Sequence, residues 1–244
     1  DYFEPRTDGA VFTIPQFYFF NTWFSTNYQR KVAIDAGGSM NQYIGNPWKQ
    51  YAYNFSPRLR LSDAIFLIYS FEKELQYNNL GYAIPFATPA MSYQGILFGQ
   101  RNRNTTVQAI ALDYIMTNRM SLSLRLRHYR STLQYESFSL LQEDGSLSLL
   151  PDFNGLTTEG KSAYDINYNA FTIDLVYRWV FMPGSEINIV WKNSVFASNN
   201  AVNVAYWQDL SSTLQTNALN SFSFKLIYWL DAQQLRKDRS ILPR

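Results

Sequence analysis

From Asn167 onward the chain alternates. Asn167, Asn169, Phe171, Ile173, Leu175, Tyr177, Trp179 and Phe181 occupy odd positions, with Ala170, Thr172, Asp174 and Arg178 among the even ones. After Pro183-Gly184-Ser185 the pattern resumes, with Ile187, Ile189, Trp191 and Val195 against Asn188, Lys192 and Ser194. Successive side chains of a strand point to opposite faces, so each segment presents an apolar wall backed by a charged one. The charged face is unsuited to a packed core, and the apolar face is too long for a surface hairpin. An outer-membrane β-barrel satisfies both, with apolar side chains toward lipid and polar ones toward a wet lumen.

Composition narrows the choices further. The formal net charge is +2 and the Lys and Arg are dispersed, which argues against a nucleic-acid partner. Cysteine is absent and histidine occurs once, so disulfides, thiolate metal sites and His-based catalysis have almost no material. No cofactor is expected. Aromatic residues reach 17% beside a negative mean hydropathy, a combination natural to aromatic girdles over a polar lumen. No run of about 18 apolar residues predicts a membrane helix. Neither a signal peptide nor an initiator Met is present, so an exported protein is expected to begin upstream of Asp1.

The spacing predicts an all-β, antiparallel transmembrane barrel segment with nine strands, near 16–28, 31–41, 50–61, 64–76, 104–116, 119–131, 165–181, 186–196 and 219–231. Tight connections at Gln29-Arg30-Lys31, Ser62-Asp63-Ala64, Thr117-Asn118-Arg119 and Pro183-Gly184-Ser185 alternate with long ones at 42–49, 77–103, 132–164 and 197–218. Tight turns belong on the periplasmic rim and long loops outside. With that polarity the first and ninth strands both descend. Residue 1 then lies outside the cell, so residues 1–232 read as the C-terminal portion of a larger barrel, and 233–244 as a periplasmic tail. Residues 135–150 read as an extramembrane hairpin turning at Asp144-Gly145. Residues 201–214 read as a short helix with Tyr206, Trp207, Leu210 and Leu214 on one side.

The phases place Arg58, Arg60, Arg125, Arg127, Arg178, Lys192 and Lys225 toward the lumen, with Asp35, Glu72, Glu74, Asp113, Asp174 and Asp231. Three-residue turns set Asp113 opposite Ser123 and Asp174 opposite Ser194, which makes Asp113–Arg125 and Asp174–Lys192 diagonal ion pairs. Mixed signs suit a solvated wall more than a strongly selective path. Tyr177, Trp179, Phe181 and Tyr228 form the expected aromatic girdle near the periplasmic rim. His128 is expected near the outer end of its strand, on the lipid side. Gly155-Leu156-Thr157-Thr158-Glu159-Gly160-Lys161-Ser162 matches the phosphate-binding loop letter for letter. That chemistry needs a helix starting at the Lys, whereas an alternating strand follows here, so the match reads as chance.

Several phrases carry a family resemblance. They are Asp1-Tyr2-Phe3-Glu4-Pro5-Arg6, Ser56-Pro57-Arg58, Leu61-Ser62-Asp63, Ile96-Leu97-Phe98-Gly99 and Met116-Thr117-Asn118-Arg119-Met120. Asn169-Ala170-Phe171-Thr172-Ile173-Asp174, Val190-Trp191-Lys192-Asn193 and Asn220-Ser221-Phe222-Ser223-Phe224-Lys225 continue the series. Together the chain resembles the C-terminal region of a Bacteroidota domain-of-unknown-function family. The resemblance implies a signal peptide, an N-terminal module like a family 9 carbohydrate-binding module, and a large barrel. It implies no catalytic residues.

The expected function is solute passage through the bacterial outer membrane, or service as the barrel subunit of a cell-envelope complex. Expected partners are outer-membrane lipid and lipopolysaccharide, the N-terminal part of the same barrel, and other envelope proteins. The alternative is an outer-membrane protein that binds or processes carbohydrate, since loop aromatics and amides suit sugar rings. Ranked below it is an outer-membrane hydrolase, for which one histidine is poor material. A soluble sugar-binding β-sandwich would need polar outer faces. Enzyme activity is not expected of these residues.

Overall fold

The computed structural model describes residues 1–230. It forms one antiparallel sheet that follows the chain as a meander. The strands are β1 (Phe17–Ser25), β2 (Val32–Tyr43), β3 (Lys49–Arg60), β4 (Ile65–Tyr82), β5 (Leu97–Thr117), β6 (Met120–Leu141), β7 (Leu147–Leu149), β8 (Ile166–Met182), β9 (Ser185–Asn199) and β10 (Leu219–Ile227). A single helix, α1 (Tyr206–Leu214), lies between β9 and β10 among the described residues. Lateral order is β1-β2-β3-β4-β5-β6-β8-β9-β10, and the short β7 folds back on the end of β6. Among the described residues the sheet does not close: β1 pairs only β2, and β10 pairs only β9. Nine consecutive antiparallel neighbours leave both edge strands running in the same direction. The expectations for Asp231 and for 233–244 fall outside the described residues.

The expected strands are all present; β1 ends at Ser25 and β10 at Ile227, short of the expected 28 and 231, and three others run well past their expected ends. β4 runs on to Tyr82, β5 starts at Leu97 and β6 reaches Leu141. The 77–103 and 132–164 connections are therefore partly strand. A bulge between Gln76 and Asn79 interrupts the β4–β5 ladder, and Asn78 takes φ 54°, a left-handed conformation that Asn tolerates. Beyond it Gly81 pairs with Gly99. A Cβ on Gly99 would meet the Tyr135 ring at 2.3 Å, so these glycines make room for neighbouring side chains rather than mark a loop.

Two tight turns differ from the expected three-residue form. Met182 pairs Ser185 and Thr117 pairs Met120, so Pro183-Gly184 and Asn118-Arg119 are two-residue loops, each beside a register shift. Gly184 takes φ 76° after a proline, the combination a type II turn uses. Such a turn splays hairpin strands, and a bulge restores their twist. The outcome at Asp113 is as expected, opposite Ser123. Asp174 instead sits directly opposite Lys192, two residues from the expected register but on the same face.

The buried core does not lie under the sheet span. Ala83, Phe138, Phe153, Ala163 and Tyr164 form it at the rim that carries the long connections, with Leu97, Tyr135 and Leu150 packed around. Phe138 meets Phe153 at 4.9 Å and Tyr164 at 4.7 Å between ring centroids. Segment 1–16 joins this layer: Phe12 packs on Phe98 at 4.8 Å, and Glu4 accepts from the Tyr82 amide at 3.0 Å. The hairpin turn at Gly145, where the 135–150 segment was expected to reverse, accepts from the Thr13 amide. Gly155 takes φ 65°, and a Cβ there would lie 2.5 Å from the Phe138 ring. Gly155→Ala should therefore destabilise this layer by roughly 1–3 kcal/mol, through overpacking and strained φ together. Faster proteolysis within 150–164, with the sheet intact, checks it.

Candidate functional site

Residues opposite one another in an antiparallel ladder share a face. The register therefore extends two faces across the sheet. One carries Tyr53, Phe55, Leu67, Tyr69, Leu112, Leu124, Leu175, Trp191 and Phe224. Much of it is uncovered: Tyr53, Phe55, Ile110 and Ile189 are exposed, and Phe222 is 74% exposed. Trp191 stacks on Phe222, which extends the apolar wall to the last strand.

The opposite face collects the expected charged residues. Arg58, Arg60, Glu72, Glu74, Asp113, Arg125, Arg127, Asp174, Arg178, Lys192 and Lys225 all fall on it by register. Several of them pair with an opposite charge or bond to polar neighbours. Arg58 Nε reaches Asp35 at 2.9 Å, and Asp35 also accepts from Ser25 at 2.6 Å and Tyr28 at 2.5 Å. Arg178 meets Glu186 at 2.5 Å, and Lys192 meets Asp174 at 3.6 Å. The expected Asp113–Arg125 pair is not made. Ser123, directly opposite, donates to Asp113 at 2.6 Å and takes the carboxylate instead.

A cavity of about 490 Å³ opens on this polar face, lined by Asn21, Ser39, Asn54, Glu72, Glu74, Arg103, Arg127 and Tyr129 among others. Its walls come from β1 to β6, so the polar face is concave there. Gln50 donates to Glu74 at 2.9 Å, and Gln76 donates to the same oxygen. Arg103 Nε is buried without a partner. The arrangement offers both signs and several amides to a polar solute. Lys73, also in the cavity lining, donates to the Thr106 hydroxyl at 2.7 Å, and no group of three His, Cys, Asp or Glu side chains converges among the described residues.

The expected girdle residues come together. Trp179 and Phe181 are 5.9 Å apart, and Phe181 stacks with Tyr228 at 6.3 Å; Tyr177 lies on the same face as Trp179. The phosphate-loop letters form a bridge between Leu156 and Ser162, with the Thr157 amide donating to Lys161, and β8 follows rather than a helix.

One polar cluster was not expected. Towards the long-connection rim the apolar face turns polar at Gln108, His128, Arg130, Asn167 and Asn169, and α1 docks there. Arg130 Nε meets Asp209 at 2.6 Å, both nearly buried. Arg130 also donates to the Val204 carbonyl at 2.8 Å, and Asn167 donates to Asp209 at 2.8 Å. His128 Nδ1 lies 2.5 Å from the Tyr206 hydroxyl, whose pKa burial pushes up to about 12. The lone histidine thus anchors a helix. The sequence signal was the run of polar residues at positions where the apolar alternation should have continued.

A family model described as a domain of unknown function, DUF5916, matches residues 1–239. No curated protein and no solved structure matches the chain.

Proposed function

Since the chain belongs to the domain-of-unknown-function family DUF5916, we propose its role from geometry: it is the wall of an outer-membrane β-barrel whose polar face lines a water-filled path for small polar solutes. The observation that carries this reading is the position of the core. A soluble sheet buries its apolar face. Here the core sits at one rim and the apolar wall stays uncovered, while the polar face is concave. In hydrocarbon the same wall needs no cover.

The open edges fit this reading. Unpaired strand amides in lipid cost several kcal/mol each, so both β1 and β10 need neighbours. Because the two edges run in the same direction, an odd number of further strands closes the ring antiparallel and gives the even total of bacterial barrels. Other strands of the same protein supply them, in keeping with the larger Bacteroidota barrel that the sequence phrases resemble. A second copy in the same orientation would meet either edge in parallel. The mixed signs of the charges make the path weakly selective, and a role as the barrel subunit of an envelope complex is compatible with it.

Reconstitution of the full protein in planar bilayers tests the function. Stable conductance steps with weak ion preference are expected. Glu72→Lys with Glu74→Lys should shift the reversal potential toward anion preference, because both line the cavity. A bilayer that stays silent, or a conductance blind to these charges, contradicts the solute path.

A further inference from the structure

The polarity of α1 is wrong for a helix in water. Asp209 and Thr213 are buried against the sheet, with Tyr206 beside them. At 3.6 residues per turn, Leu210, Leu214 and Trp207 form one flank, and Gln208, Ser211 and Ser212 form the other. Trp207 is 72% exposed and Leu214 is 51% exposed. A nine-residue helix has little stability of its own and depends on what it packs against.

The apolar flank has a definite direction. A cavity of about 220 Å³ separates helix from sheet, and Trp207 and Leu210 line it together with Tyr69, Ile110, Leu126 and Phe171. On β5, β6 and β8 these are the last apolar residues of the wall. Two residues nearer the long-connection rim, the same face presents Gln108, His128 and Asn169. So the helix lies along the line where the wall changes from apolar to polar. Its apolar flank turns toward the apolar side of that line and its polar flank away.

We propose that α1 is an interfacial helix that seats on outer-leaflet lipid, with Trp207 and Leu214 among the upper acyl chains. This rests on the membrane reading above. The occupant is lipid because the flank is uncharged and continuous with the wall that the acyl chains cover. The split of one flank apolar and the other polar is what a helix in the interface plane requires. The Arg130–Asp209 pair pins the helix at that depth. Its role is to hold the last long connection beside the barrel wall, clear of the path.

Tryptophan quenching tests the proposal in the full protein, reconstituted in dioleoylphosphatidylcholine vesicles containing a lipid brominated near the glycerol end or near the methyl end of its chains. The emission of Trp207 is the difference between the protein and Trp207→Phe. That of Trp191, within the wall, is the difference from Trp191→Phe and serves as control. Bromine near the glycerol end should remove most of the Trp207 emission, and bromine near the methyl end much less. As a second reporter, in the Trp207→Phe background, Leu214→Trp should be lipid-quenched and Gln208→Trp iodide-quenched. If Trp191 is quenched by lipid but Trp207 only by iodide, the helix proposal is overturned and the barrel stands. If neither quencher reaches Trp207, another protein surface covers it, which also overturns the proposal. If no lipid reaches Trp191 either, the membrane reading itself has failed.

Discussion

Asp209→Ala should cost the docked α1 layer about 3–5 kcal/mol, the usual penalty for removing one partner of a buried ion pair. The reason is the charge left behind. Arg130 is 8% exposed at its side chain, and its remaining protein partner would be the Val204 carbonyl. Asn167, which donates to the same carboxylate, loses an acceptor as well. Amide exchange across 201–218 should quicken by orders of magnitude, while β2 to β5 keep their protection. Replacing both partners with apolar side chains, Arg130→Met with Asp209→Leu, should recover much of the loss. A cost below about 1 kcal/mol for Asp209→Ala would mean that water reaches the pair freely.

Leu175→Arg should destabilise the protein by about 2–4 kcal/mol in lipid, the range for a basic residue on the lipid face near the membrane midplane. Leu175 lies opposite Leu124 and Trp191, in the middle of the apolar wall. Its neighbour Asp174 points the other way. Asp174→Asn loses only a partly exposed ion pair with Lys192, worth about 0–1 kcal/mol. Urea unfolding in lipid vesicles compares the two. Equal costs would contradict the assignment of faces.

The sheet was legible because alternation is a strong signal wherever one face is uniformly apolar. Phe171 to Trp179 and Met120 to Leu126 specified both strand and facing, and the register later followed them. Turn residues located each reversal but not its geometry. Pro183-Gly184 closes in two residues and a bulge takes up the third, so Asp174 moved from Ser194 to Lys192 without changing face. The extensions of β4, β5 and β6 were hidden because glycines and bulges break the alternation there, and pairing between distant residues holds those ends. The dock of α1 was hidden for another reason. Arg130 and Asp209 are far apart in the chain, and nothing local marks them as partners. Only the polar residues at apolar positions, Arg130, Asn167 and Asn169, hinted that something covers the wall at that height.

The central claim is that the apolar wall faces lipid and the polar wall faces water. The chain has no cysteine, so single cysteines can be placed one at a time and spin-labelled without a background. A scan from Thr172 to Tyr177 on β8, in reconstituted protein, is the most direct measurement. Collisions with dissolved oxygen, which concentrates in hydrocarbon, should peak at positions 173, 175 and 177. Collisions with a water-soluble nickel chelate should peak at 172, 174 and 176, in antiphase with a period of two residues. Odd positions reached by the nickel chelate as readily as even ones would place water on both faces, and the barrel reading would have to be abandoned.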